Sequence, residues 1–150
     1  AEVRRSVRAG TYRLAPGLKR FLSVLKARPD VRLGLGTGNL ERGARIKLGP
    51  SGLNRFFRFG GFGSDARDRA RVLRLGARRS GSRFRGRDVA VIGDTPLDVQ
   101  AGRKAGFRTV AVATGWDSPD DLRRAKPDRL MKDFKDAPAF LSWLDGDRSE

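Results

Sequence analysis

Leu18, Phe21, Leu22 and Leu25 recur at helical spacing between Pro16 and Pro29, and this amphipathic run predicts a first helix. Pro16 suits a first helical turn, and Pro29 ends the run. Val31 to Leu35 is a short β-prone stretch behind the turn-like pair Pro29-Asp30. Asn39 is placed to cap a second helix that carries Leu40, Ala44 and Leu48 on one face and stops at Gly49-Pro50. Phe56 to Phe59 offers a weaker strand. Ser64 is expected to cap a third helix, with Asp65 and Asp68 in its first turn and Ala66, Ala70, Leu73 and Ala77 on its buried face.

The second half of the chain is patterned more strongly. Asp88 to Ile92 is continuously apolar after one acid, as buried parallel strands are. A helix over 96–105 closes at Gly106, and Phe107 to Ala113 forms another apolar strand. Ser118 to Asp121 has a capping pattern that opens a short helix. Leu130-Met131 and Ala137 to Leu144 complete the series as a short strand and a terminal helix. Strand and helix alternate four times. That order predicts an α/β fold: one Rossmann-like parallel sheet with helices on both faces. No internal repeat or second-domain boundary interrupts it.

Composition narrows the chemistry. At 150 residues and 38% hydrophobic, the chain is long enough to bury one core. It has neither cysteine nor histidine. Disulfides, thiolate metal sites, imidazole bases and the usual serine and cysteine triads are therefore excluded. No apolar run approaches the ~20 residues of a membrane helix, and no signal peptide opens the chain, so a cytoplasmic location is expected. The net charge of +16 would attract polyanions. Most of the basic residues are arginines spread through nearly every segment rather than gathered in a stripe, so nucleic acid is not the expected partner.

In open parallel sheets, ligands bind at the carboxyl ends of strands. Two such ends stand out: Thr37-Gly38-Asn39 and Gly93-Asp94-Thr95-Pro96-Leu97-Asp98. At the first, a hydroxyl and backbone N–H groups meet a helix start, an arrangement that receives phosphate, although taken alone a plain helix cap by Asn39 is the better explanation. At the second, Asp94 sits on a tight turn where a carboxylate can hold a hard cation. Asp98 could support it, and Thr95 with Asp98 is also a capping box with Pro96 at the first helical position.

Together the two ends resemble the haloacid dehalogenase (HAD) superfamily, in particular its phosphoglycolate-phosphatase-like members. Thr37-Gly38-Asn39 looks like the second family motif, whose Ser or Thr binds the transferring phosphoryl group. Gly93 to Asp98 looks like the fourth motif, GDxxxD, whose first acid ligates Mg²⁺. The third motif is a single Lys or Arg, and Arg69 is the best match, with Arg67 and Arg71 as neighbours. The resemblance covers roughly residues 13–144. It implies Thr37 and Arg69 as catalytic, Gly38 and Asn39 as further phosphate-binding residues, Asp94 and Asp98 as metal-binding, Mg²⁺ as cofactor, and a small phosphorylated metabolite as substrate.

One part of the family pattern is missing. No Asp-x-Asp follows an apolar strand before Thr37, so the first motif (DxDGT), which supplies the aspartate nucleophile and the central strand, has no counterpart. Residues 1–12 then read as the tail of a cap region and 13–150 as an incomplete core, an inactive fragment of the intact enzyme. The strands at 31–35 and 89–92 should flank a slot. They must either close on each other or leave their edges open.

Two rival readings are weaker. Leu33 to Asn39 also resembles the glycine-rich loop of S-adenosylmethionine-dependent methyltransferases, but Arg32 stands where that family has an acid. A polyanion-binding module would rest on Arg55, Arg58 and Arg83 to Arg87 beside Phe56, Phe57, Phe59 and Phe84.

Overall fold

The computed structural model describes residues 14–146; the expected cap tail at 1–12 lies outside them. Within the described residues five strands and six α-helices alternate: α1 (Leu18–Lys26), β1 (Gly34–Gly36), α2 (Glu41–Leu48), β2 (Phe59–Gly61), α3 (Arg69–Arg78), β3 (Ala90–Gly93), α4 (Pro96–Lys104), β4 (Arg108–Val112), α5 (Pro119–Arg124), β5 (Arg129–Met131) and α6 (Ala137–Gly146). All strand pairs are parallel. The α/β architecture read from the alternation is the one that forms.

Three local expectations are corrected. Asn39 does not cap α2; the cap position is Leu40, and the Asn39 N–H donates instead to Thr37 Oγ1 at 3.1 Å. Ser64 does not cap α3. Asp68 does, accepting from the Ala70 N–H at 3.3 Å, while Asp65 turns back to Arg79 and the Phe62 N–H. The second strand lies at Phe59–Gly61, and Leu53–Phe56 is a 3₁₀ turn. Two glycines make β2 a poor strand by propensity. Packing demands them: a Cβ on Gly61 would run into the Val72 carbonyl, and one on Gly76 would meet the Gly61 backbone. Helix α3 therefore lies unusually close to the sheet.

The helices form two layers. Phe21 and Leu25 of α1 and Phe140 and Leu144 of α6 are buried in one core with Val110 and Val112, and Leu33, Leu35, Ala90 and Ile92 pack against it. Phe21 sits between Phe134 and Phe140, both rings 5.1 Å from its own. Burying such a side chain contributes ~1.5–3 kcal/mol. On the other face, a Cβ on Gly36 would lie 2.6 Å from Leu73 of α3, and one on Gly102 of α4 would meet Thr109 and Val91. Val99, Ala111 and Leu122 form a second small core there.

The sheet is in two parts. β1 pairs with β2, with Gly34 opposite Phe59 and Gly36 opposite Gly61. β4 lies between β3 and β5, with Ala90 opposite Arg108 and Val112 opposite Met131. Among the described residues β1 and β3 share no ladder. At their amino ends Arg32 Nε donates to Ser82 Oγ at 2.7 Å, just ahead of the segment leading into β3. Every residue of β4 is buried, because helices cover both faces and strands pair on both edges, whereas all four residues of β3 are only half-buried. Of the two outcomes expected for the slot, direct closure of β1 on β3 is not seen among the described residues.

Candidate active site

The turn after β3 is built around Asp98. Its Oδ2 accepts from the Asp94 N–H (3.1 Å), the Thr95 N–H (3.1 Å) and the Thr95 hydroxyl (2.9 Å), while Thr95 Oγ1 accepts from the Asp98 N–H at 3.2 Å. This reciprocal capping box starts α4, with Pro96 at its first position. Gly93 must be glycine for the box to close, because a Cβ there would occupy the space of the Asp98 carboxylate. The turn leaves Asp94 at the strand's carboxyl end with 3% of its surface exposed. A carboxylate so deeply buried requires compensation from neighbouring polar groups or a cation.

The turn after β1 is tighter. The Thr37 N–H still donates to Gly61 O at 3.1 Å, extending the ladder with β2 by one bond, and the Thr37 hydroxyl oxygen then accepts from the Asn39 N–H. The Gly63 N–H donates to Asn39 O at 2.8 Å, and the Gly63 Cα presses so near the Gly38 carbonyl that no side chain fits at 63. Gly38 itself is exposed, with open space where a Cβ would go. Sequence reasoning named Gly93 as the first residue of the GDxxxD match but passed over Gly63, whose only signal was a glycine next to a turn.

Arg69 opens α3, and its Nη1 lies 3.4 Å from Asp98 Oδ1. Of Arg67, Arg69 and Arg71, it is Arg69 that reaches the turn; the other two are exposed. From the far end of α4, Lys104 Nζ approaches Asp68 Oδ1 at 3.4 Å. The helix thus delivers one cation to the carboxyl end of β3, while the Thr37 turn stands at the carboxyl end of β1 across the slot. The Arg69 side chain is 36% exposed and that of Asp98 17%, so their pairing is worth little by itself, ~0–1 kcal/mol. Its consequence is placement rather than stability.

The donor set for a cation is partial. Hard cations take six or more oxygens. Asp98 spends one oxygen on the capping box and turns the other to Arg69, which leaves Asp94 as the buried carboxylate of the turn. Among the described residues no group of three or more acidic side chains gathers.

A doubly layered parallel α/β domain with two loops at its strand ends is the class that this architecture defines. Residues 69–137 match the family model described as HAD-hydrolase-like. Solved structures agree in fold. A haloacid-dehalogenase-like hydrolase from Streptococcus pneumoniae is 20% identical, with a TM-score of 0.73 over 86% of this chain and 59% of that one. A protein described as a predicted phosphoglycolate phosphatase from Haemophilus somnus is 22% identical, with a TM-score of 0.74 over 86% and 57%. The β-phosphoglucomutase of Clostridium difficile is 14% identical, with a TM-score of 0.75 over 91% and 59%. No curated protein sequence matches the chain. The resemblance read from the two strand-end motifs is borne out: the chain has the haloacid-dehalogenase-like hydrolase fold. It spans under two thirds of the length of these structures. No helix among the described residues is long and apolar enough to cross a membrane.

Proposed function

We propose that this chain provides the phosphate-holding side of a haloacid-dehalogenase-type phosphohydrolase that acts on small phosphate esters. The observation that carries this reading is the arrangement at the strand ends. The Thr37 turn follows β1, the buried Asp94 follows β3, and Arg69 reaches the Asp94 turn through Asp98. A phosphoryl group is an anion with several acceptor oxygens. The backbone N–H group at Gly38, the Thr37 hydroxyl and the Arg69 guanidinium are the donors suited to it, while the Asn39 N–H holds the Thr37 hydroxyl in place.

In the reaction that the resemblance implies, an aspartate carboxylate attacks phosphorus in line, and the alcohol leaves with a proton. Water then cleaves the aspartyl-phosphate to release phosphate. The attacking aspartate belongs to the motif without a counterpart before Thr37. This chain's own part is to hold and orient: Thr37 and the Gly38 amide fix the phosphoryl oxygens, and Arg69 offsets their charge. Asp98 acts one step back, holding the turn and Arg69 in place.

Magnesium is the cofactor implied by the resemblance, and bound at Asp94 it would neutralise charge on the phosphoryl oxygens. Asp94 is the ligand and Asp98 its support. These donors hold one side of the ion and leave the rest of its coordination to other groups, so affinity for magnesium alone should be weak.

Titrating the ¹⁵N-labelled chain with inorganic phosphate, with and without magnesium, tests the reading. The amides of Thr37 to Asn39 and Gly93 to Thr95 should shift together, and the chain should show no turnover of p-nitrophenyl phosphate. Shifts centred instead on Arg83 to Arg87 would favour a general polyanion surface and overturn it.

A further inference from the structure

Read along the chain, the arginines are spread through nearly every segment; folding gathers several of them. On α3, Arg71, Arg74 and Arg78 recur at helical spacing and all three are exposed, while Ala70, Val72 and Gly76 are buried. The Arg74 guanidinium donates to the Lys104 carbonyl at 2.7 Å, which sets the end of α4 beside this stripe. There Arg103 and Lys104 are both exposed, and the Arg103 guanidinium donates to the carbonyl of Lys126, itself exposed just beyond α5. Three segments thus contribute six cations to one continuous surface. Among the described residues a single ion pair touches it, Lys104 to Asp68 at 3.4 Å. Asp128, close to Lys126 in the chain, is held elsewhere and accepts from the Thr109 N–H at 2.7 Å.

Helix dipoles account for part of this surface. Arg78 closes α3, and Arg103 and Lys104 close α4, where cations offset the carbonyl ends. They do not account for Arg71. It stands in the first turn of α3, where the N–H groups already present positive charge and no acid is placed. Lys126 is costly as well, since it holds a backbone φ of 58° that glycine or asparagine adopts more readily.

We propose that this surface binds the sugar–phosphate backbone of a nucleic-acid duplex without reading its sequence. A duplex carries one charge every ~1.7 Å, so the ~10 Å of helix from Arg71 to Arg78 faces several phosphates at once. Most of the cations are arginines, whose planar guanidinium grips two phosphate oxygens together. A membrane would need an apolar wedge beside the charges. The large hydrophobic residues exposed among the described residues are Leu40, Ile46, Leu97 and Trp116, and none of them lies on α3 or in the last turn of α4. The same composition leaves no aromatic platform on which a single strand would stack. The surface shares no residue with the Thr37 and Asp94 turns, so it stands apart from the phosphohydrolase reading.

Fluorescence anisotropy of a labelled mixed-sequence duplex of about 20 base pairs, titrated with the full chain, reads the binding. Affinity should fall ~100-fold between about 50 and 200 mM salt, the response of about four phosphate contacts, and a duplex of unrelated sequence should bind equally well. Arg71→Glu combined with Arg78→Glu should lower affinity at least ~30-fold, and the neutral pair Arg71→Gln with Arg78→Gln should give an intermediate loss. Lys19→Glu with Arg20→Glu makes the same change of net charge at exposed positions of α1, on the other face of the sheet, and should cost less than ~3-fold. Equal losses from the α1 and α3 variants would assign binding to overall charge and overturn the proposal. Tighter binding of a single strand than of the duplex, or displacement of the duplex by phosphatidylserine vesicles, would overturn it as well.

Discussion

Arg69 and Asp98 meet at 3.4 Å across two helix starts, the first residue of α3 touching the third of α4. The contact ties the cation to the turn that carries Asp94. Arg69→Ala should leave the urea midpoint almost unchanged, a loss below ~1 kcal/mol, because the pair is part-exposed. Affinity for inorganic phosphate should fall on the order of tenfold, as removal of one charged hydrogen-bond donor does. Calorimetry on the purified variant separates the two effects; a large stability loss with phosphate binding intact would make Arg69 merely structural.

Asp98 has the opposite profile. Its Oδ2 holds three donors at the start of α4. Asp98→Ala should cost about 1–2 kcal/mol, the range of a lost N-terminal cap, with the unpaired Asp94 amide pushing towards the upper end. Asp98→Asn keeps an acceptor oxygen and should recover part of that loss. Urea unfolding monitored by Trp143 fluorescence checks both.

Gly61 and Gly38 should respond very differently to alanine. At Gly61 a Cβ would strike the Val72 carbonyl, a backbone atom in a helix that cannot move alone. Gly61→Ala is expected to cost more than ~2 kcal/mol, as overpacking against a fixed neighbour does. At Gly38 nothing lies within 4 Å of the added carbon, so Gly38→Ala should stay within about 0.5 kcal/mol of the parent. Thermal melts of the two variants side by side decide the point.

Acid should expose the Asp65–Arg79 pair. The Arg79 guanidinium, with a second hydrogen bond from the Phe62 N–H, lowers the Asp65 carboxyl to about 2 from an ordinary 3.8. A depressed carboxyl stabilises the fold above its ordinary value and loses that contribution as pH falls towards 2. The urea midpoint of the parent should therefore drop between pH 4 and pH 2 more steeply than that of Asp65→Asn. Equal slopes would mean that the pair is open in solution.

Much of this molecule was legible along the chain. The apolar runs at 88–92 and 107–113, the helix start at Pro96, and the two strand-end turns all depend on residues within a few positions of one another. Local sterics and capping act over that range, so the sequence determined them, along with the α/β class and the Thr37 and Asp94 turns. Tertiary structure decided what depends on partners far along the chain. β2 forms on glycines because α3 packs against it, and Asp65 leaves its expected helix for Arg79. Arg69 is singled out from Arg67 and Arg71 by the position of Asp98 in the neighbouring helix. That β1 and β3 share no ladder among the described residues is decided in the same way, since no local pattern in either strand records which partner it takes.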